Sequence, residues 1–266
     1  MRIDIHTHAF HPKIAAKAIA MLNTTSPAHC VGDGTIEHLL EREAAAGVNC
    51  CVVLCAATTP AQVIPANNYA ISLQRQYPGK VIAFGSLHPA FPEWEKELER
   101  LKTAGIRGIK LHPELQGFRL DDNHLLPIFE TAQNNFIFQI HVGAPTTPER
   151  APSCPYKLAA VLDAFPRLRV IAAHFGGCRM WGHALRTLAS PRRKNLWFDT
   201  SSTTALATEL LFDKLLRAFP RERFLFGTDW PLYDPVEEIS RLQNKCHMKE
   251  KEIEEIMNNA LDVIEI

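Results

Sequence analysis

The chain has 266 residues, 29 Lys and Arg against 29 Asp and Glu, with 46% hydrophobic and 22% charged residues. This globular composition excludes disordered, collagenous and coiled-coil classes, and the length suits one large domain or two small ones. A formal charge of zero gives no electrostatic reason to expect nucleic acid or an anionic membrane as a partner.

The most apolar run, Cys50 to Ala57, is about eight residues, far below the roughly 20 that span a bilayer. The opening Met1-Arg2-Ile3-Asp4-Ile5-His6 lacks the apolar stretch of a signal peptide. The seven cysteines show no paired CxxC spacing, which argues against a disulfide framework or zinc ribbon and makes a reducing cytoplasm the simplest location. Cys50, Cys51 and Cys55 fall in a strand-like run and read as small buried hydrophobes.

Taken in chain order, short β-rich runs predict strands at Arg2–Ile5, Cys50–Cys55, Val81–Leu87, Ile106–Leu111, Phe136–His141, Arg169–Ala173, Asn195–Asp199 and Arg223–Gly227. Most are continuously apolar, as parallel strands covered on both faces should be. Amphipathic stretches alternate with them: Thr35–Ala46, Ala61–Tyr77, Pro92–Ala104, Asn123–Asn134, Pro155–Phe165, Cys178–Ser190 and Thr203–Phe219. Two more follow the last strand, near Pro235–Gln243 and Lys249–Ile264. Gly47 and Gly105 fit helix C-terminal positions, and Pro92 and Pro155 fit first turns. No linker or repeat divides the chain. Eight βα units in about 250 residues predict a single-domain (β/α)8 TIM barrel over residues 1–266. A doubly wound sheet is the alternative, but its Gly-rich phosphate turn is missing after the first strand.

Barrel enzymes place their chemistry at the C-terminal ends of strands. Strand one ends in His6-Thr7-His8, strand three in His88, and strand four in Lys110 then His112. Strand five ends in His141, strand six in His174, and strand eight leads to Asp229. A lone His-x-His is weak evidence, since 12 histidines give about half an occurrence by chance. Residues two apart on a strand project to one side, so His6 and His8 could reach one ion. Imidazoles with a carboxylate suit zinc, and a catalytic site leaves a position open for water.

The strings Ile3-Asp4-Ile5-His6-Thr7-His8, Gly108-Ile109-Lys110-Leu111-His112-Pro113, Ala173-His174-Phe175-Gly176-Gly177 and Phe226-Gly227-Thr228-Asp229-Trp230-Pro231 resemble the amidohydrolase superfamily. More narrowly, they resemble the metal-dependent hydrolases that include aminocarboxymuconate-semialdehyde decarboxylase. The resemblance implies one divalent metal, zinc first, held by His6, His8, His141 and Asp229, with His174 facing water or substrate. It gives Asp229 and His174 the catalytic roles: Asp229 accepts a proton from metal-activated water, and His174 polarises a carbonyl or shuttles a proton. A carboxylated Lys110 would bring a second metal; the plainer reading keeps it an ammonium near substrate. Lys110, His112 and Trp230 are the expected substrate contacts, whereas Arg150 and Arg179 are weaker candidates for a substrate carboxylate.

These features favour hydrolysis of an ester, lactone or amide in a small carbonyl compound. Related decarboxylases often carry a glutamate soon after the strand-six histidine, where this chain reads Phe175-Gly176-Gly177-Cys178. Non-hydrolytic decarboxylation of a small carboxylic acid is the alternative. A polymerase-and-histidinol-phosphatase-type metal enzyme fits the Gly-Thr-Asp-Trp-Pro ending less well, and an inactive ligand-binding barrel would be expected to lack a ligand position. A small-molecule substrate is the expected partner, and relatives often form homodimers. Ser201-Ser202-Thr203-Thr204 reads as a helix start, with Asp199 orienting its neighbours from strand seven.

Overall fold

The computed structural model describes residues 1–26, 28–190 and 193–264. Eight strands form one parallel sheet in sequential order: β1 (Ile3–Thr7), β2 (Cys50–Leu54), β3 (Val81–Ser86), β4 (Gly108–Leu111), β5 (Ile137–Ile140), β6 (Arg169–Ala172), β7 (Leu196–Asp199) and β8 (Phe224–Leu225). The sheet closes on itself beyond β8. Phe226 accepts the Ile5 N–H at 2.9 Å, His6 accepts that of Asp229 at 2.8 Å, and Trp230 accepts that of His8 at 2.8 Å. The closed ring is the (β/α)8 TIM barrel expected from the strand pattern.

The continuously apolar strands are explained by burial on both faces. Ile3, Ile5, Cys50, Val52, Leu54, Phe84, Ile137, Ile171 and Leu225 fill the barrel, together with Ala260, Val263 and Ile264 from the helix Ala260–Ile264. Ile109, Phe138, Val170 and Phe198 pack outward, where Leu101, Phe129, Leu158 and Leu215 of the surrounding helices meet them. Higher in the barrel the register aligns Ser86, Lys110 and Gln139 side by side. All three are fully buried, so a polar layer lies above the apolar filling.

Each expected strand is found; β1 begins one residue later than expected and runs on to Thr7, and the other seven are shortened by a residue or more. Gly47 and Gly105 take φ of 70° and 84° after their helices, as capping glycines do, and Pro155 opens the helix Pro155–Ala164. Pro92 differs from its expected place, because its helix begins at Trp94 with Glu93 as cap. The stretch expected to be one helix over Thr203–Phe219 is two, Thr203–Leu206 and Glu209–Ala218. Thr208 ends the run by accepting the Leu211 N–H and capping the second. Helices Ala15–Thr25 and Pro113–Gln116 were not expected. No helix among the described residues is long and apolar enough to cross a membrane.

Packing at Gly108 is tight. A Cβ there would lie 2.2 Å from the Phe84 ring, its partner in β3. Gly108→Ala is expected to lower unfolding free energy by about 1–3 kcal/mol, read from urea midpoints at unchanged slope.

Candidate metal centre

The mouth is assembled from strand ends brought together by barrel closure. His6 and His8 come from β1 and the residue after it, and Asp229 from the segment that closes onto them. Nε2 of His6 and Nε2 of His8 lie 3.3 and 3.4 Å from the same oxygen, Oδ1 of Asp229. The other oxygen, Oδ2, accepts the Ser202 hydroxyl at 2.6 Å.

Hydrogen-bond partners assign the protons. Nδ1 of His6 donates to Asp199 Oδ2 at 2.9 Å, and Nδ1 of His8 donates to the Leu54 carbonyl at 3.1 Å. Both Nε2 atoms therefore carry lone pairs when the rings are neutral. Burial, reinforced by Lys110, holds His6 neutral by lowering its pKa to about 4. Burial alone would raise Asp229, but the surrounding rings of His6, His8 and His174 overturn it and keep this carboxyl well below the usual range. Two imidazole lone pairs and a carboxylate oxygen thus converge with no hydrogen between them. Such a donor set fits a divalent cation, and its nitrogen and oxygen character suits zinc among others.

The cation already at hand is Lys110. Its Nζ is 3.3 Å from His6 Nε2, and burial brings its pKa down to about 8 against the pull of Asp199, Asp229 and Glu114. Asp4 braces the other side of β1. Its Oδ1 accepts the His6 N–H at 2.9 Å and the Thr228 N–H at 3.2 Å, tying both site-bearing segments to one carboxyl. Burial pushes Asp4 up to about 7, with Glu43 buried beside it.

His141 and His174 form the opposite wall. Nε2 of His174 is 3.0 Å from Nδ1 of His141, Nδ1 of His174 is 3.0 Å from the Ser201 carbonyl, and Nε2 of His141 is 3.0 Å from the Gly143 carbonyl. Two neutral rings supply two N–H protons for these three contacts, so His141 keeps one of its two. The structure therefore brings His6, His8 and Asp229 into one group and sets His141 outside it. His141 instead stacks on His112 at 3.9 Å, with Glu114 Oε2 3.7 Å from His112 and 4.0 Å from His141.

The placement of Trp230 corrects its expected role as a substrate contact. It is fully buried among Ile36, Leu39, Cys51 and Val53, with its ring edge-on to His38 at 5.1 Å. Arg150 and Arg179 are exposed. Ser201 and Ser202, read from sequence as helix caps, belong to the site: neither caps the short helix Thr203–Leu206, and their hydroxyls face Asp199 and Asp229. Glu114 was also missed, although it follows β4 by three residues, where the strand-end rule points.

His174, Ser202 and Asp229 take φ of 57°, 56° and 67°. Left-handed backbone at a non-glycine residue costs about 1–3 kcal/mol and gathers where function demands it.

A model of the amidohydrolase family matches residues 3–262. The chain belongs to that family. Solved structures sharing the fold include an uncharacterized TIM-barrel protein from Bordetella bronchiseptica, 20% identical with a TM-score of 0.81, over 99% of this chain and 98% of that one. A 2,6-dihydroxybenzoate decarboxylase bound to 2,6-dihydroxybenzoate is 15% identical with a TM-score of 0.73, over 100% of this chain and 99% of that one. A 5-carboxyvanillate decarboxylase from Novosphingobium aromaticivorans, complexed with manganese and a nitrobenzoic acid, is 16% identical with a TM-score of 0.74, over 100% and 96%.

The low pKa of His6 sets a stability window for the metal-free protein. From pH 6.5 down to about 4 the unfolded chain protonates this ring before the fold does, so stability falls with pH. His6 should contribute on the order of 3 kcal/mol at pH 7 that is lost by pH 4. Urea unfolding of wild type and His6→Asn at both pH values checks this, and the comparison removes the opposing contribution of Asp4.

Proposed function

We propose that this amidohydrolase-family protein is a metal-dependent hydrolase acting on the C–O or C–N bond of an ester, lactone or amide in a small carbonyl compound. The observation that carries the reading is the convergence of His6 Nε2, His8 Nε2 and Asp229 Oδ1. These three residues would hold one zinc ion. A divalent cation bound there supplies Lewis acidity, polarising a substrate oxygen and lowering the pKa of a water.

The chain's own groups account for orientation and proton handling. Asp229 is kept ionised and is fixed by Ser202 at Oδ2, so Oδ1 is aimed at the mouth as a proton acceptor. His174, anchored at Nδ1 by the Ser201 carbonyl, presents its Nε2 lone pair to take up the proton that Asp229 accepts and pass it to a leaving group. Lys110 and His112 supply positive charge and an imidazole face to the substrate.

Decarboxylation of a small carboxylic acid is the second reading, favoured by two fold neighbours that are decarboxylases of substituted benzoic acids. The same groups serve it, with His174 or Asp229 first taking a proton from water and then passing it to the carbon that loses carbon dioxide. Both readings are tested by a panel of lactones, esters, amides and hydroxybenzoic acids assayed with carbon dioxide detection. Turnover of the first three without gas release supports hydrolysis; gas release from the acids overturns it.

Asp229→Asn is expected to abolish turnover. His174→Ala should keep one equivalent of metal by elemental analysis while slowing turnover about 10²–10⁴-fold. Metal loss in the His174 variant would instead make that ring a ligand.

A further inference from the structure

The end of β7 holds a cluster that the reading above leaves without a role. Ser201 is fully buried, and its Oγ lies 2.9 Å from Nδ1 of His6 and 2.9 Å from Nδ1 of His174. Its hydroxyl donates to Oδ1 of Asp199 in a short contact. A hydroxyl has one proton and two lone pairs. With the proton spent on a carboxylate, Oγ can only accept at both ring nitrogens, so the His6 N–H is shared between Oγ and Asp199 Oδ2 and the His174 N–H between Oγ and the Ser201 carbonyl.

Asp199 is equally saturated. Its Oδ2 accepts from His6 Nδ1 and from Gln139 Nε2, each at 2.9 Å. Its Oδ1 also accepts the main-chain N–H of His174 at 2.9 Å and of Ser201 at 3.2 Å. Every neighbour of this carboxylate is a donor, and the charge is held well below the usual range: burial opposes it, but His6, His174 and Ser201 prevail.

A nucleophilic serine does not fit this arrangement. Ser201 and Asp199 meet His6 on the same ring nitrogen, whereas a serine relay places hydroxyl and carboxylate on opposite nitrogens.

We propose that Asp199 and Ser201 form one positioning unit that locks His6 and His174 together in the Nδ1–H tautomer. Both Nε2 lone pairs are thereby aimed into the mouth, one toward a cation and one toward a transferring proton. The inference rests on the reading of His6 as a ligand and His174 as the proton-handling ring, and deepens it by making the two rings interdependent. An asparagine at position 199 must turn its NH2 toward one side of this all-donor shell. Turned toward Oδ2, the less crowded side, it forces His6 to accept at Nδ1 and moves the proton to Nε2, which removes the ligand lone pair.

The test uses the full chain stripped of metal. Long-range ¹H–¹⁵N spectra of the imidazoles at pH 8 report the tautomers, and zinc affinity is read by competition with a chromogenic chelator. Wild type should show Nδ1–H for both rings. Asp199→Asn should move His6 to Nε2–H and raise the zinc dissociation constant about 10–100-fold. Ser201→Ala should raise it about tenfold, and the double variant should match Asp199→Asn alone, because only the carboxylate fixes the direction of the hydroxyl proton and so makes Oγ an acceptor for both rings. Unchanged tautomers in Asp199→Asn, or effects that multiply in the double variant, would overturn the proposal. Should Asp199→Asn fail to fold by circular dichroism, Ser201→Ala carries the test, since its Asp199 keeps two main-chain donors on Oδ1. Equal zinc uptake by wild type and His6→Ala would sink the ligand reading, whereas the ring spectra judge the tautomer lock on their own.

Discussion

Closure of the barrel between β1 and the segment Phe226–Trp230 is the constraint on which the mouth depends. Three main-chain hydrogen bonds stitch these segments together, and Asp4 clamps His6 and Thr228 from behind. That seam alone puts the two β1 imidazoles within reach of Asp229. Nothing in the local chemistry of either segment would do so, because both ends of the pairing are far apart in the chain. The fold's main contribution to the site is thus to hold lone pairs close together that would otherwise drift apart.

Holding them is costly, and the surroundings show how the cost is met. Asp199 and Asp229 are buried carboxylates, which a dry interior penalises unless donors surround them. Asp199 receives side-chain donors on both oxygens and main-chain donors on Oδ1, and Asp229 receives the Ser202 hydroxyl on Oδ2. His6 answers the same pressure by staying neutral. Lys110 stays buried among three carboxylates, where its charge offsets theirs. The left-handed backbone at His174, Ser202 and Asp229 falls in the same few residues, so charge burial and strain are concentrated at one rim while the apolar barrel below carries the stability.

How much of this could be read from the chain follows from the range of each interaction. The strands were legible because burial on both faces leaves a one-dimensional trace, a run of apolar residues. His6, His8, His141, His174 and Asp229 were legible because strand ends point to one rim in this architecture. The hydroxyls were not. Ser201 braces two imidazoles in the structure, but a run of serines and threonines suits a helix cap equally well. Trp230 was misread because adjacency to Asp229 in the chain says nothing about direction: one residue on, the side chain passes out of the mouth into the apolar layer around Leu39 and Val53. The break at Thr208 inside an amphipathic run escaped notice because the apolar period continues across it.

The helix Ala260–Ile264 plugs the end of the barrel remote from the histidines, with Val263 and Ile264 lodged against Ile3, Ile5 and Leu225. A barrel corked in this way is a cup and not a tunnel. Whatever reaches the rim must depart over the lip it crossed on arrival, so spent and fresh molecules queue for a single doorway. Traffic through that doorway is then set by the loops that frame it, and chemistry at the rim can be fast only when they let the previous occupant go.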